Sequence, residues 1–254
     1  MKITQIYLSM GRYSIAKECF EHNMGTCGRK PDEIVWVDNG STDGTAELAR
    51  EHADICVLNK RNMGAAHGFN TAMVLATGDM ISIVGIYSKA PENWLQIFCD
   101  VYESSKADAV CMYHHPVEAD PERFRGGQET HAGYTCQRAL FLESSFFPKS
   151  TVERFGYFDE ALDPYWPCDV EYTFRCDGHG CKALAICGIT VEHCGRGDDI
   201  EPMMPDPTTG EMIPYFQWKK AVQWRPEVRA RINSNAEKGW PILGFNQKPI
   251  PCTP

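Results

Sequence analysis

The sequence predicts an α/β fold in which a mostly parallel central sheet is flanked by helices. Through the first half of the chain, short apolar runs alternate with helical patterns, as expected when parallel strands are joined by crossover helices. The run Glu33–Asp38 is almost continuously apolar, which is typical of a strand covered on both faces. With 254 residues, the chain can bury a sizeable core, as one large domain or as one domain with an appendage.

The elements of the first half follow from this alternation. We expect strands over residues 3–8, 33–38, 54–58, 80–84 and 107–113. We expect helices over residues 15–22, 45–52, 64–76 and 91–105. Pro91 stands at the start of the last of these helices, a position that proline favours.

The second half of the chain is less regular. Residues 114–136 are polar and glycine-rich, and we expect a loop that crosses the active face. A helix is expected around residues 169–175, and strands over 139–147, 183–187 and 190–193. Four prolines between residues 196 and 214 indicate a mobile segment. The tail from residue 215 should hold one helix before a proline-containing end.

The net charge of −9 disfavours a polyanionic partner, because nucleic-acid binding needs clustered basic residues. Residues 219–231 are a local exception, with five basic residues against one acidic residue. A solvated helix face is the favoured interpretation of that run, and a nucleic-acid partner the minority one. The first residues lack the apolar run of a signal peptide, and no stretch approaches the roughly 20 apolar residues that span a bilayer. We therefore expect a cytoplasmic protein, with peripheral membrane contact left open.

Twelve cysteines are many for a chain of this kind, and their spacing decides their interpretation. Disulfide-rich secreted scaffolds are usually short, so we expect most of these cysteines to be reduced thiols that act as small apolar side chains. Structural zinc is the alternative, with candidate ligands late in the chain: Cys168, Cys176, His179, Cys181, Cys187 and Cys194. The sequence has no paired C-x-x-C motif, which argues against such a zinc site.

The sequence DNGSTD at residues 38–43 begins where the apolar strand ends. In an open α/β sheet, ligands bind outside the carboxyl ends of the strands, so the carboxylate of Asp38 should emerge there. It could accept the N3–H of a uracil or thymine ring. Ser41, Thr42 and Asp43 can cap the following helix through its backbone N–H groups. A plain turn with a good helix cap is the structural alternative.

Several motifs in a specific order carry a family resemblance. VDNGSTDGT at residues 37–45 and NKRNMGAAHGFN at residues 59–70 resemble two nucleotide-binding segments of the family 2 glycosyltransferases. Five further segments are similar to later motifs of that family, at residues 76–84, 93–95, 155–160, 168–175 and 191–193. The resemblance spans roughly residues 3–195. It implies a GT-A, Rossmann-like sheet with a C-terminal acceptor-side extension.

The resemblance also implies an organisation and an activity. Residues 1–113 would be the nucleotide-sugar-binding half, 114–198 the acceptor and catalytic half, and 199–254 a C-terminal loop and tail. Members of the family transfer a sugar, with inversion, from a nucleoside diphosphate donor to a hydroxyl acceptor, and a UDP-sugar donor is favoured here. Asp169 matches the family's catalytic base, although a carboxylate that stabilises a helix N-terminus is the alternative. The implied donor-binding residues are Ser9, Asp38, Asn39, Ser41, Asp43, Asn62, Gly64, Asn70, Tyr87, Lys89 and Lys219.

The sequence departs from the family at the position of its metal motif. The family's Asp-x-Asp, which holds Mg²⁺ or Mn²⁺ against the diphosphate, is replaced by Gly85, Ile86 and Tyr87. This replacement argues against a bound Mg²⁺ or Mn²⁺. Cys168 likewise replaces the Glu that usually precedes the catalytic Asp.

Three accounts of this departure stay open. The enzyme could be independent of metal, with cationic side chains neutralising the diphosphate, the candidates being Lys89, Arg61, Lys219 and Lys220. Transfer could instead have been lost, leaving a protein that only binds a sugar nucleotide or a partner. A third account retains a metal through His193 and Asp169.

The acceptor and the oligomeric state are not predicted by the sequence. A glycan, a lipid-linked acceptor and a small molecule all stay open, since acceptor loops vary most among such enzymes. The aromatic residues Tyr157, Phe158, Tyr165 and Trp166 could stack on a sugar or belong to the core. A nucleotidyltransferase is disfavoured, because the loop after the first strand, residues 8–12, contains a single glycine.

Overall fold

The computed structural model describes residues 1–114, 124–139, 144–162, 168–194, 203–205, 211–214 and 226–238. The first half alternates strands and helices as predicted. Its strands are β1 (Ile3–Ser9), β2 (Glu33–Asp38), β3 (Ile55–Leu58), β4 (Met80–Ile83), β5 (Ser88–Lys89) and β6 (Ala109–Tyr113). Its helices are α1 (Tyr13–Thr26), α2 (Thr45–His52), α3 (Ala65–Leu75) and α4 (Trp94–Ser105).

The second half adds strands to the sheet and further helices. Its strands are β7 (Phe124–His131), β8 (Tyr134–Ala139), β9 (Ser144–Pro148), β10 (Ala183–Thr190), β11 (Glu192–His193), β12 (Met203–Pro205) and β13 (Met212–Pro214). Its helical segments are α5 (Lys149–Phe155), a 3₁₀ turn (Glu160–Leu162), α6 (Cys168–Gly178) and α7 (Pro226–Lys238). No helix in these described ranges is both long and apolar enough to cross a membrane.

Nine of the described strands form one sheet in the order β3-β2-β1-β4-β9-β6-β10-β8-β7. β1 pairs in parallel with β2 and β4, β2 with β3, and β6 with β10. β9 runs antiparallel between β4 and β6, and β8 runs antiparallel between β10 and β7. The predicted α/β fold with a mostly parallel sheet is therefore confirmed. Strand order reverses at β1, where the chain passes to β2 on one side and later to β4 on the other, and such a switch point is where ligands bind in open sheets.

The core lies on both faces of this sheet, which explains why the central strands are apolar throughout. On one face, Ile6 of β1 belongs to a buried cluster with Met73 of α3. On the other face, Tyr7 and Trp36 pack against Phe20 of α1, and their ring centroids lie 5.7 and 5.4 Å from that of Phe20. The side chains of consecutive residues of β1 thus pack against helices on opposite faces of the sheet, because side chains alternate along a strand.

The described residues 124–136 do not form the loop that is predicted for residues 114–136. They enter a hairpin in which β7 and β8 are joined by Ala132 and Gly133, both with positive φ. Such dihedrals match the twist of a two-residue hairpin turn. β7 is an edge strand of the sheet, and its described side chains are mostly exposed. Its residues can therefore be polar, and they give no apolar strand pattern.

Other predictions for the second half need smaller corrections. The strand predicted over 139–147 is two strands that are not neighbours, since β8 ends at Ala139 and β9 begins at Ser144. Between 196 and 214, where a mobile segment is predicted, the described residues form the antiparallel pair β12 and β13. The helix predicted in the tail is confirmed as α7, whereas α5 was not predicted.

A buried ionic network joins α6 and α7 to the segment before the 3₁₀ turn. Glu171 and Arg175 form a two-pronged pair on α6, with nitrogen to oxygen distances of 2.7 and 2.9 Å. Arg231 of α7 pairs with Asp159, and Asn235 donates to both Asp159 and Glu171 at 3.0 Å. Four of these five residues are at most 1% exposed, so each charge depends on its partners for solvation.

We expect the change Arg175→Met to lower the free energy of unfolding by about 3–5 kcal/mol, because it leaves a buried carboxylate without its cation. Denaturant titration measures this difference. The matched control is Arg154→Met, which removes an arginine paired with Asp108 on the surface and should cost less than about 1 kcal/mol. If both variants lost the same free energy of unfolding, the buried network would stabilise the protein no more than a surface ion pair does.

Candidate functional site

Asp38 lies at the carboxyl end of β2, and its carboxylate organises the turn that follows. Its Oδ1 accepts hydrogen bonds from the backbone N–H groups of Gly40 at 3.2 Å and Ser41 at 2.8 Å. Its Oδ2 accepts hydrogen bonds from the hydroxyls of Ser9 at 2.7 Å and Ser41 at 2.5 Å. The residue is 1% exposed. A carboxylate offers about four acceptor positions, so a hydrogen bond from a nucleobase N–H to Asp38 would have to replace one of these.

The hydroxyls of Ser9 and Ser41, which bind Asp38, each accept a further hydrogen bond. The Ser9 hydroxyl accepts a bond from the indole N–H of Trp36 at 2.9 Å. The Ser41 hydroxyl accepts a bond from the backbone N–H of Gly11 at 2.6 Å. The ends of β1 and β2 are therefore fixed to each other. We call this group, Ser9, Asp38, Ser41 and Asp43, the strand-end site.

Asp43 completes the strand-end site and holds the first turns of two helices. Its Oδ2 accepts a bond from the N–H of Tyr13, the first residue of α1, at 3.0 Å. Its Oδ1 accepts bonds from the N–H and hydroxyl of Thr45, the first residue of α2, at 3.2 and 2.7 Å. Burial alone would raise the pKa of Asp43, but these hydrogen bonds outweigh it and hold the pKa below its usual range. The positive ends of two helix dipoles thus converge on the strand-end site, an arrangement suited to anions.

Asn39 connects the strand-end site to the start of α3. Its side-chain N–H donates to the carbonyl of Gly64 at 3.0 Å, and its oxygen accepts from Asn59 at 2.8 Å. Asn62 in turn accepts a bond from the N–H of Gly64 at 2.9 Å. A Cβ on Gly40, whose φ is +85°, would approach the Cα of Arg61 to 2.8 Å, so the two loops pack backbone against backbone.

Asn70, predicted at the donor site, lies farther along α3 and ties this helix to the segment that contains Phe158 and Glu160. It donates to the carbonyl of Phe158 at 3.0 Å and to Glu160 at 2.9 Å, and accepts from the N–H of Phe158 at 2.9 Å. His67 contacts the same Glu160 at 3.1 Å. Because Asp159, the neighbour of Glu160, belongs to the buried network with α6, α3 links the strand-end site to the helix that carries Asp169.

Tyr87 ends the triplet that stands at the family's metal motif, and its hydroxyl is used within the protein. The hydroxyl accepts a bond from the N–H of Met10 at 2.6 Å and donates to the carbonyl of Gly11 at 3.0 Å. Burial raises the pKa of Tyr87 to about 12, so the phenol is neutral at physiological pH. Gly85 and the buried Ile86 offer no side-chain ligand. The triplet therefore does not fit Mg²⁺ or Mn²⁺, which prefer carboxylate oxygens.

The remaining predicted residues lie at other places in the fold. Lys89 on β5 donates to Glu18 of α1 at 2.5 Å, so this lysine is already paired with a carboxylate. His193 on β11 pairs with Ser88 of β5, and its ring centroid is 5.4 Å from that of His114. Over the described ranges, no group of three or more His, Cys, Asp or Glu side chains is arranged to hold a metal ion. The described cysteines are free, and most are buried in the core.

Asp169 lies in the first turn of α6 and is partly exposed. Glu171, two residues later, faces into the buried network. Predictions that concern Lys219, Lys220, Tyr165 and Trp166 fall outside the described residues.

Three residues that shape the site were not singled out by sequence reasoning. Arg12 precedes α1 and has its guanidinium 5.9 Å from the centroid of the Tyr87 ring. Glu160 receives the contacts from α3, and Arg231 neutralises Asp159 from far along the chain. Glu160 ends the family-like segment at residues 155–160, which is a signal that could have indicated it, whereas no sequence signal indicates the partner of Arg231.

Comparison with known proteins gives a family match. Residues 10–161 match the family described as glycosyl transferase family 2. The glycosyltransferase GlyG of Streptococcus pneumoniae serotype 4 (strain ATCC BAA-334 / TIGR4) is 30% identical over 124 residues, which cover 46% of this chain and 40% of GlyG.

Two solved structures share the fold. The mannosyltransferase PcManGT from Pyrobaculum calidifontis, in complex with GDP-Man and Mn²⁺, gives a TM-score of 0.56 at 19% identity, over 77% of this chain and 58% of that one. GalNAc-T7, solved with UDP, GalNAc and Mn²⁺, gives a TM-score of 0.61 at 12% identity, over 76% of this chain and 44% of that one. These likenesses confirm the predicted GT-A fold.

We expect the change Asp43→Ala to lower the free energy of unfolding at neutral pH by about 1–2 kcal/mol, because the first turns of α1 and α2 lose an acceptor. Since the folded-state pKa of Asp43 is lowered, its contribution is complete above the ordinary aspartate pKa of 3.8 and is lost as the pH falls through the folded value. Denaturant titrations from neutral pH into the acid range should therefore show the two proteins converging. Asp100→Ala is the control, since Asp100 accepts one bond from Gln96 within α4. A deficit in Asp43→Ala that persists unchanged at low pH would contradict the assignment.

Proposed function

The chain belongs to glycosyl transferase family 2, and we propose that it transfers a sugar from a nucleoside diphosphate sugar to a hydroxyl acceptor, with inversion at the anomeric carbon. A UDP-sugar is the favoured donor. The chain spans 40% of the length of GlyG, so the activity of the whole protein is part of this proposal. Relatives of the same fold have been solved with GDP-Man and with UDP, which supports a nucleotide-sugar donor without fixing its base.

The convergence of two helix N-termini on the strand-end site is the observation that carries the proposal. Asp43 binds the first N–H groups of α1 and α2, and both helices start beside the carboxyl ends of β1 and β2. This end of the sheet is also its switch point, where a nucleotide binds in open α/β folds. Asp43 takes up the first N–H groups of the two helices, so it is their dipoles that would attract a diphosphate here.

Asp169 is the proposed general base for a single displacement. It would take the proton of the acceptor hydroxyl while the acceptor oxygen forms a bond to the anomeric carbon. The bond from that carbon to the phosphate oxygen breaks, and the nucleoside diphosphate leaves with the electron pair. Asp169 lies in the first turn of α6, where the helix dipole favours a negative charge.

Stabilisation of the departing diphosphate would come from the protein's own groups. Gly85, Ile86 and Tyr87 do not fit a divalent cation, so these three residues would not hold a metal against the diphosphate. The helix N-termini at the strand-end site provide partial positive charge, and cationic side chains would provide the rest.

The altered triplet also favours a second candidate function, a protein that binds a sugar nucleotide and no longer transfers the sugar. The acceptor alternatives remain a glycan, a lipid-linked molecule, a small molecule and, as the minority option, a nucleic acid. Donor binding is common to both candidates, and turnover distinguishes them.

We expect at least one nucleotide sugar to raise the melting temperature by several degrees, because a ligand that binds only the folded state stabilises it. A thermal-shift panel of UDP-, GDP- and dTDP-sugars tests this, with Mn²⁺ in one arm and a chelator in the other. The shift should persist in the chelator. If no nucleotide sugar stabilises the protein in either arm, the donor-site assignment is wrong.

We expect Asp169→Asn to slow sugar transfer, or hydrolysis of the donor, by about 10²–10⁴-fold while donor affinity changes little. Release of the nucleoside diphosphate measures turnover, and isothermal titration measures affinity. Asp177→Asn is the control on the same helix, since Asp177 pairs with Arg138 at the surface near its end. Wild-type protein that binds the donor without turnover would favour the second candidate, and full turnover in Asp169→Asn would exclude Asp169 as the base.

A further inference from the structure

Two cysteines from distant parts of the chain, Cys19 of α1 and Cys194 immediately after β11, lie side by side. Their thiols form a hydrogen bond with each other, and neither cysteine is part of a disulfide. Cys19 is buried, whereas Cys194 is half-buried. Because a disulfide bond is about 2 Å long, two thiols that are already in hydrogen-bond contact need to move little to form one.

Backbone pairing fixes the position of Cys194. β5 and β11 form a short antiparallel pair, which we call the ribbon, with His193 opposite Ser88. One residue farther along, the N–H of Cys194 donates to the carbonyl of Tyr87 at 2.8 Å. Tyr87 belongs to the altered triplet, and its hydroxyl binds the loop between β1 and α1. Cys194 is therefore bonded directly to a residue of the candidate site.

Helix α1 places Cys19 against the same ribbon. Asn23, one turn after Cys19 on the same helix face, donates to the carbonyl of Ser88 at 2.8 Å. Its side-chain oxygen accepts a bond from the N–H of Ala90, also at 2.8 Å. Asn23 is fully buried, so these bonds hold α1 on the ribbon without competition from water. The contact between the two sulfurs is thus set by the fold.

The two thiols differ in how well an oxidant can reach them. Burial, followed by the hydrogen bond with Cys194, raises the pKa of Cys19 to about 12, so Cys19 keeps its proton at physiological pH. Cys194 is the sulfur of the pair that solvent reaches. Cys176 and Cys181 are also hydrogen-bonded to each other, but each is only 3% exposed. A small oxidant should therefore react at Cys194 before it reaches either of those buried thiols.

From these contacts we propose that Cys19 and Cys194 form a reversible disulfide when a peroxide oxidises Cys194, and that this bond holds the ribbon closed against α1. Each strand of the ribbon has two residues, so few hydrogen bonds oppose its local opening. A covalent bond between α1 and the end of β11 would limit that opening. This modification site is independent of the proposed sugar transfer.

Formation of the disulfide takes two steps. The Cys194 sulfur attacks one oxygen of hydrogen peroxide, the O–O bond breaks, and the sulfur is oxidised to a sulfenic acid while the peroxide is reduced to water. The Cys19 sulfur then attacks the sulfur of the sulfenic acid. An S–S bond forms, the S–O bond breaks, and the hydroxide leaves as water with the proton of Cys19. A dithiol reverses the reaction by thiol–disulfide exchange.

The test maps the bond in the folded protein. Reduced protein is treated with hydrogen peroxide, its remaining thiols are blocked with N-ethylmaleimide, and it is digested with trypsin and a protease that cleaves after glutamate. Cleavage after Glu21 and Glu192 separates Cys19 and Cys194 from the cysteines nearest to them in sequence. Mass spectrometry should then find a cross-linked pair of peptides that contains Cys19 and Cys194. The pair should appear before any link between the buried thiols of α6 and β10, and dithiothreitol should remove it.

Three variants separate this bond from general oxidation. Cys194→Ser and Cys19→Ala should each lose the cross-linked pair of peptides. Cys194→Ser changes a half-buried side chain and should keep the fold, so the test does not depend on how well the core accepts Cys19→Ala. Cys56→Ser is the matched control, because Cys56 is also half-buried but lies on β3, an edge strand of the sheet. It should form the cross-link as wild type does.

Hydrogen exchange measures the effect of the bond on the ribbon. In peptides that cover residues 86–90 and 190–194, backbone amides should exchange roughly tenfold more slowly in oxidised than in reduced wild type, because the disulfide opposes local opening. Cys194→Ser treated with peroxide should exchange at the rate of its reduced form.

Three results would overturn the proposal. If peroxide links Cys194 to a different cysteine, or oxidises it to a sulfinic acid with no link to Cys19, these two residues are not the modification site. A link between two chains, which a non-reducing gel shows as a dimer, would exclude the bond within one chain. A bond that forms within one chain but leaves exchange at the ribbon unchanged would show that it does not hold the ribbon closed.

Discussion

The carboxylate of Asp38 is the interaction on which this end of the molecule depends. It is buried, and it accepts four hydrogen bonds from Ser9, Gly40 and Ser41. A buried carboxylate is stable only when hydrogen bonds replace its hydration, so the turn after β2 and the end of β1 are bound to one arrangement. The hydroxyl of Ser41 then extends this order to the loop that leads into α1.

The two halves of the protein are joined through polar contacts as well as through the sheet. Asn39 fixes the start of α3, and Asn70 and His67 on that helix reach Glu160. The adjacent Asp159 belongs to the network that includes Glu171 of α6. The relation between the strand-end site and the helix of the candidate base is therefore set by directional bonds, which tolerate displacement less well than apolar packing does.

Local patterns predicted the first half well, because each element there carries its own signal. β2 and α2 occur at the predicted residues, since an apolar run and a capped helical pattern stand next to each other with a turn between them. The hairpin of β7 and β8 was not predicted, because an edge strand with exposed side chains needs no apolar face. The site predictions were limited in a similar way, because local sequence does not show the contacts that a residue makes with distant segments. Spacing indicated that Asp38 lies at a strand end, but whether its oxygens face a ligand or the protein depends on Ser9, which is distant in sequence.

Contacts between distant segments also explain why the network around Asp159 could not be anticipated. Asp159 belongs to a recognisable motif, yet its cation comes from Arg231 on a helix whose sequence shows only a weak amphipathic pattern. Likewise, Arg12 looks like an ordinary loop residue until its backbone dihedrals and the Tyr87 ring are seen.

The docking of α7 has a consequence for where this protein can be cut. The family match ends at residue 161, and a protein shortened to the residues before 226 would keep all of it. Such a fragment would nevertheless lose Arg231 and Asn235, and Asp159 and Glu171 would keep their charge with fewer partners inside the fold. The last described helix therefore supplies, from outside the matched region, the cation that pairs with a buried carboxylate inside it.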